Sequence, residues 1–213
     1  EEKPTAILGA IVSNLIVAIA KFVAAFFTGS SSMISEGIHS TVDTANEGLL
    51  WFGIKQSKKP PDEIHPFGHG QELYFWSLIV AIVLFGLGGG MSIYEGILHM
   101  LHPEALEDPL WNYVVLGIAL VAEGTSWTIA FRKFLPTLEE GETFWHAIRN
   151  TKDPTVLTVL FEDSAALAGL VVAFLGVWLS HQWEQPQLDG VASIVIGVIL
   201  AIVAFLLVYE SRG

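Results

Sequence analysis

A histidine and an aspartate four residues apart, His39 and Asp43, lie in a stretch otherwise built largely of small and apolar residues, with Asn46 and Glu47 one turn further on. In a helix that spacing sets both side chains on one face, so a single element offers a nitrogen and an oxygen ligand to one ion. Other ionisable groups occupy equally apolar surroundings: Glu36, Glu123, the adjacent pair Glu162-Asp163, Lys21 and Glu95, with Asn14 as a further polar group. A charge at the centre of hydrocarbon costs at least about 2.5 kcal/mol on insertion scales, which makes such residues functional candidates by default. Several carboxylates in a low dielectric repel one another unless protons or a cation neutralise them. A divalent cation and protons then compete for one place, the physical basis of cation/proton exchange. Nitrogen and oxygen ligands in a tetrahedral arrangement suit zinc, whereas a carboxylate-rich set leans toward manganese.

The elements that position these groups follow from hydropathy. Of 213 residues, 52% are hydrophobic and 15% charged, against about 25% charged in a soluble domain. A spanning helix needs about 20 mainly apolar residues. Six stretches qualify: Ala6–Phe27, Ser32–Ile54, Leu73–Leu98, Trp111–Phe131, Thr155–Ser180 and Leu188–Tyr209. An all-α, polytopic membrane protein with six transmembrane helices is therefore expected. The first stretch is longer than the apolar core of a signal peptide and lacks a small-residue cleavage site, so it reads as a helix that stays. Lys and Arg are missing from the loops joining helices 1–2, 3–4 and 5–6, and are present before helix 1, in loops 2–3 and 4–5 and at the end. By the positive-inside tendency both termini face the cytoplasm.

Depth supports a meeting of helices 2 and 5. At about 1.5 Å per residue, Asp43 lies roughly 16 Å from the inner end of helix 2 and Asp163 roughly 12 Å from the start of helix 5, while Glu123 falls near the midplane. Lys21 and Glu95 are expected to neutralise each other near the outer side, and Glu36 to be a wetted carboxylate at a helix end. His99, His102, His146 and His181 read as interfacial, and Trp111, Trp127, Trp178 and Trp183 as an aromatic belt. Gly86, Gly88, Gly89 and Gly90, with Gly190 and Gly197, would let helices 3 and 6 approach closely, and the first four also mark a bending point. The net charge of −12 disfavours nucleic acid, no P-loop points to nucleotide, and with no cysteine the metal chemistry is left to nitrogen and oxygen. His-Glu-x-x-His and Gly-x-Ser-x-Gly are absent, which counts against a metal-dependent intramembrane enzyme.

Ordered motifs along the chain resemble the transmembrane domain of the cation diffusion facilitators, proton-coupled exporters of zinc and related ions. Helix 2 carries Ser35-Glu36-Gly37-Ile38-His39-Ser40-Thr41-Val42-Asp43; the next loop reads His65-Pro66-Phe67-Gly68-His69-Gly70; helix 5 supplies Asp163 followed by Gly169; and helix 6 opens Leu188-Asp189-Gly190-Val191-Ala192-Ser193. The resemblance implies a metal site of His39, Asp43 and Asp163. The family's further helix 5 ligand is replaced by Val159, and Glu162 beside Asp163 is similar to a subgroup with Glu-Asp there, so Glu162, Asn46 or water completes the set. The cargo implied is Zn2+, with Mn2+, Fe2+, Co2+ or Cd2+ as alternatives, exchanged for protons. The resemblance also implies a homodimer, helices 3 and 6 moving as one unit, and a bacterial inner membrane as the location. Family members usually continue into a cytoplasmic ferredoxin-like domain; residues 1–213 read as a single cation-efflux transmembrane domain without it. Asp62, His65 and His69 match loop positions at which some members hold an additional metal, and the alternative is that a loop histidine caps helix 3.

Overall fold

The structure, a computed structural model, describes residues 4–63, 65–103, 108–135 and 154–210. Helix α1 (Pro4–Thr28) turns through Gly29, whose φ of 70° suits a residue without a Cβ, into α2 (Ser31–Ser57). Ser30 caps α2, its hydroxyl accepting from the Met33 amide at 3.2 Å. The third apolar stretch is broken as its glycines suggest: α3 (Glu72–Val83) passes through a π-helical turn (Leu84–Gly89) into α4 (Gly90–Leu101). Then follow α5 (Leu110–Phe134), α6 (Pro154–Trp183) and α7 (Gln187–Glu210). The described residues contain no strand.

Helix α2 is the hub, packing against α1, α3, α4, α6 and α7, while α5 joins α1 to α6. This follows from its composition: the helix richest in polar side chains is the one surrounded by others. Met33 and Val42 of α2 enter a core with Leu84, Leu116, Leu170, Ile196 and Leu200. The outer faces are apolar, with Phe26, Ile118, Val121 and Phe205 well exposed. Exposed apolar surface on this scale belongs against lipid. On length and composition alone, Leu110–Arg132, Leu160–Trp183 and Gln187–Leu206 can each cross a bilayer, and α1 holds the shorter apolar stretch Asn14–Thr28. The chain is thus an all-α, polytopic membrane protein.

Glycines bring α4 and the π-turn against α7. A Cβ at Gly96 would lie 2.5 Å from the Gly190 carbonyl oxygen, and one at Gly197 would lie 2.7 Å from that of Gly89. Gly86 does not join this seam, since nothing lies within 4 Å of its would-be Cβ. Nor is Trp127 only a belt residue: its ring stacks on Phe131 and its Nε1 donates to Ser164 Oγ at 3.0 Å, tying α5 to α6.

Candidate metal site

The face of α2 predicted to carry ligands is buried. His39 is fully enclosed, with Nε2 3.4 Å from Asp43 Oδ2. Neither ring nitrogen of His39 has a hydrogen-bond partner, nor do Asp43 Oδ1 and Asn46 Oδ1. Leaving a buried polar atom unsatisfied costs about 1–3 kcal/mol, so a row of them within two helical turns marks a candidate ligand set. From α6, Glu162 accepts from Asn46 Nδ2 at 3.0 Å, and Asp163 accepts from Ser126 Oγ of α5 at 2.9 Å. Asp43 lies within electrostatic reach of Glu162, Glu123 and Asp163. Helices α2 and α6 therefore bring their acids to one level, as the depth argument predicts. The cluster is loose: among the described residues these carboxylates and His39 do not form a group of three ligand atoms within 4.8 Å of one another. The side chain of Val159 lies outside the described residues.

The loop motif closes more tightly. Ligand atoms of Asp62, His65 and His69 all lie within 4.8 Å of one another. Asp62 Oδ1 accepts from the His65 backbone amide at 2.6 Å and sits 3.2 Å from His65 Nδ1, while Asp62 Oδ2 lies 3.4 Å from His69 Nε2. Gly68, at φ 85°, supplies the turn that folds the two rings to 4.2 Å between centroids. At the start of α3 it is the His69 carbonyl that receives the Glu72 amide, at 3.0 Å, so the ring is left facing Asp62 instead of capping the helix.

Three expectations about the remaining polar residues are corrected. Lys21 does not pair with Glu95; it donates to Glu36 Oε2 at 2.8 Å, Ser40 Oγ at 2.8 Å and Glu123 Oε1 at 3.1 Å. The reason is packing: α1 lies against α2 and α5, whereas α4 lies against α2 and α7. Glu36 is not wetted but wholly buried by that contact. A hint was present, because Lys21 and Glu36 lie at similar distances on either side of the Gly29-Ser30 turn, hence at similar depth. His99 is buried, its Nε2 without a partner and its ring near enough to Asp189 to interact electrostatically; His146 lies outside the described residues. Asp189 and Ser193, part of the helix 6 motif, fasten α7 to α2. Asp189 accepts from Ser30 Oγ at 3.1 Å, from the Ser32 amide at 3.1 Å and from Ser32 Oγ, and the hydroxyls of Ser35 and Ser193 are bonded to each other. Asn14, noted in the sequence as a polar group without an assigned partner, donates to Glu47 Oε1 at 2.9 Å.

Comparison with known proteins gives this arrangement a family. The chain is 38% identical to the proton-coupled zinc antiporter SLC30A9, mitochondrial, of Mus musculus over 192 residues, which are 90% of this chain and 34% of that protein. It is 33% identical to metal tolerance protein C4 of Arabidopsis thaliana over 97% of this chain and 46% of the relative. Magnetosome protein MamM of Paramagnetospirillum magneticum is 25% identical over 83% of this chain and 51% of the relative. The chain thus spans between about a third and a half of the length of these relatives. The cation efflux transmembrane domain matches residues 7–213. With buried nitrogen and oxygen atoms at the junction of α2 and α6 and this match over nearly its whole length, the chain belongs to the cation efflux, or cation diffusion facilitator, family of membrane transporters.

Proposed function

We propose that the chain is the membrane domain of a secondary transporter that exports a divalent transition-metal ion, zinc first, in exchange for protons. The observation that carries this reading is the set of unpartnered ligand atoms on His39, Asp43 and Asn46 facing Glu162 and Asp163 across the α2–α6 junction. His39, Asp43 and Asp163 are the ligands, with Glu162 or Asn46 completing the set; the Asn46–Glu162 hydrogen bond supports exchange of one for the other as a metal enters. The carboxylates explain the coupling, since oxygens that bind a cation release protons and oxygens that take protons release the cation. The zinc antiporter name of the mouse relative supports zinc over manganese, iron, cobalt or cadmium.

In this reading the protein has six spans, with α3 and α4 forming one interrupted span, and both termini are cytoplasmic. Residues 1–213 make up one cation-efflux domain, which works as a homodimer in a lipid bilayer. Asp62, His65 and His69 hold a second metal at the cytoplasmic edge, where ions gather before entry. A membrane carrying a proton gradient is required; the bacterial inner membrane expected from the sequence fits, and so does the mitochondrial location in the name of the mouse relative. The test is zinc flux in proteoliposomes under an imposed pH gradient. Metal moves against the proton gradient, and Asp43→Ala and Asp163→Ala each abolish flux while the protein remains folded. Flux indifferent to pH, or undiminished in both variants, overturns the proposal.

A further inference from the structure

The ammonium of Lys21 has no solvent exposure, and its three donors are all committed, to Glu36 Oε2, Ser40 Oγ and Glu123 Oε1. Glu36 leaves its other oxygen without a partner, directed at the α6 backbone, where a Cβ at Gly169 would come within 2.5 Å of it. Glu123 likewise holds one oxygen on Lys21 and leaves buried Oε2 unpartnered. That same carboxylate lies within electrostatic reach of Asp43 and Asp163, and the Lys21 charge acts on both His39 and Asp43. Glu123 is thus shared between a fixed cation and the cargo's ligands.

We propose that Lys21 is the built-in counter-cation of the transport site, holding Glu123 back from the metal and keeping affinity low enough for release. This rests on the reading of the α2–α6 junction as the transport site. With Lys21 in place, Glu36 and Glu123 together contribute one net negative charge to the junction instead of two. A divalent ion beside Asp43 is repelled by the ammonium and attracts the free Glu123 oxygen, so Lys21 and the metal compete for one carboxylate. Loss of the lysine charge releases Glu123 to the ion, which then binds more tightly and leaves more slowly. Lys21 acts here as a positioning residue, working through Glu123.

The experiment uses purified protein carrying His65→Ala and His69→Ala, so that the loop does not contribute, with zinc affinity read by chelator competition and release by stopped-flow chelator capture. Removing one partner of a buried ion pair strands the other, so Lys21→Met is combined with Glu36→Gln, and Lys21→Gln is measured as a milder second variant. The paired variant keeps the net charge and frees Glu123 alone, whereas Lys21→Gln also adds one negative charge; both are expected to bind zinc about tenfold more tightly or better, equivalent to about 1.4 kcal/mol, with slower release. Adding Glu123→Gln removes the gain, and Lys21→Arg restores parental affinity. Zinc binding that is unchanged or weakened in the folded variants overturns this inference while leaving the transport site standing. Absence of zinc binding in the parent and every variant overturns both.

Discussion

Replacing Gly96 by alanine adds one methyl group at the tightest point of the α4–α7 seam, and the structure determines the sign of the effect. The new Cβ would lie 2.5 Å from the Gly190 carbonyl oxygen, 2.7 Å from Ile194 Cγ1 and 2.8 Å from the Ile194 amide nitrogen, well inside the 3.4 Å at which ordinary contact begins. Two of these three atoms are main chain and cannot rotate aside, so the helices must separate. Overpacking of this kind costs about 1–3 kcal/mol, against which alanine recovers up to about 1 kcal/mol of helix propensity. The net expectation is a loss of about 1–2 kcal/mol, since the clash is with backbone. The same substitution at Gly117 of α5, where nothing lies within 4 Å, has only the propensity term and leaves stability unchanged or slightly raised. Thermal unfolding of both variants in one detergent measures the contrast; Gly96→Ala is expected to melt several degrees below Gly117→Ala. Equal melting temperatures would refute the claim that backbone contact between α4 and α7 holds this part of the fold.

Asp189→Ala removes the acceptor of Ser30 Oγ, the Ser32 amide and Ser32 Oγ. Orphaned buried donors cost about 1–3 kcal/mol each, so the thermal midpoint is expected to drop by more than for Asp189→Asn, which keeps an acceptor oxygen. Zinc affinity is expected to fall as pH falls, because protons occupy the same oxygens, at about tenfold per pH unit for each proton displaced; calorimetry in buffers of different ionisation enthalpy counts those protons, and a pH-independent affinity would speak against the coupling. Asp62→Ala or His69→Ala is expected to remove one zinc equivalent from the binding stoichiometry, measured by calorimetry, without abolishing flux.

Helix geometry made half of the candidate site readable in advance. His39 and Asp43 are local neighbours whatever surrounds them, and their level relative to Asp163 follows from rise per residue, so the α2–α6 meeting could be anticipated from spacing and depth. The glycine-rich run Gly86 to Gly90 reads as a bending point for a similarly local reason, since residues without a Cβ let the backbone deviate, and the deviation found there is a π-helical turn at Leu84–Gly89. Partner choice at long range was not readable in the same way. Lys21 had acids at comparable depth on several helices, and only the packing of α1 against α2 and α5 selects Glu36 and Glu123 over Glu95. His99 looked interfacial from its place near a helix end, yet the tight approach of α4 to α7 encloses it beside Asp189. Asp62, His65 and His69 group together in the loop motif, but their close contact depends on the Gly68 turn, whose positive φ folds both histidines onto one carboxylate.

The central claim is that a metal ion is held between α2 and α6 inside the membrane domain. Calorimetric zinc titration of protein carrying His65→Ala and His69→Ala tests it most directly, because the loop ligands are gone and any remaining zinc must sit elsewhere. One equivalent of zinc is expected to bind with proton release, and Asp163→Asn or Asp43→Asn is expected to abolish it in a protein whose melting temperature is preserved. Zinc binding that survives both substitutions unchanged would contradict the account.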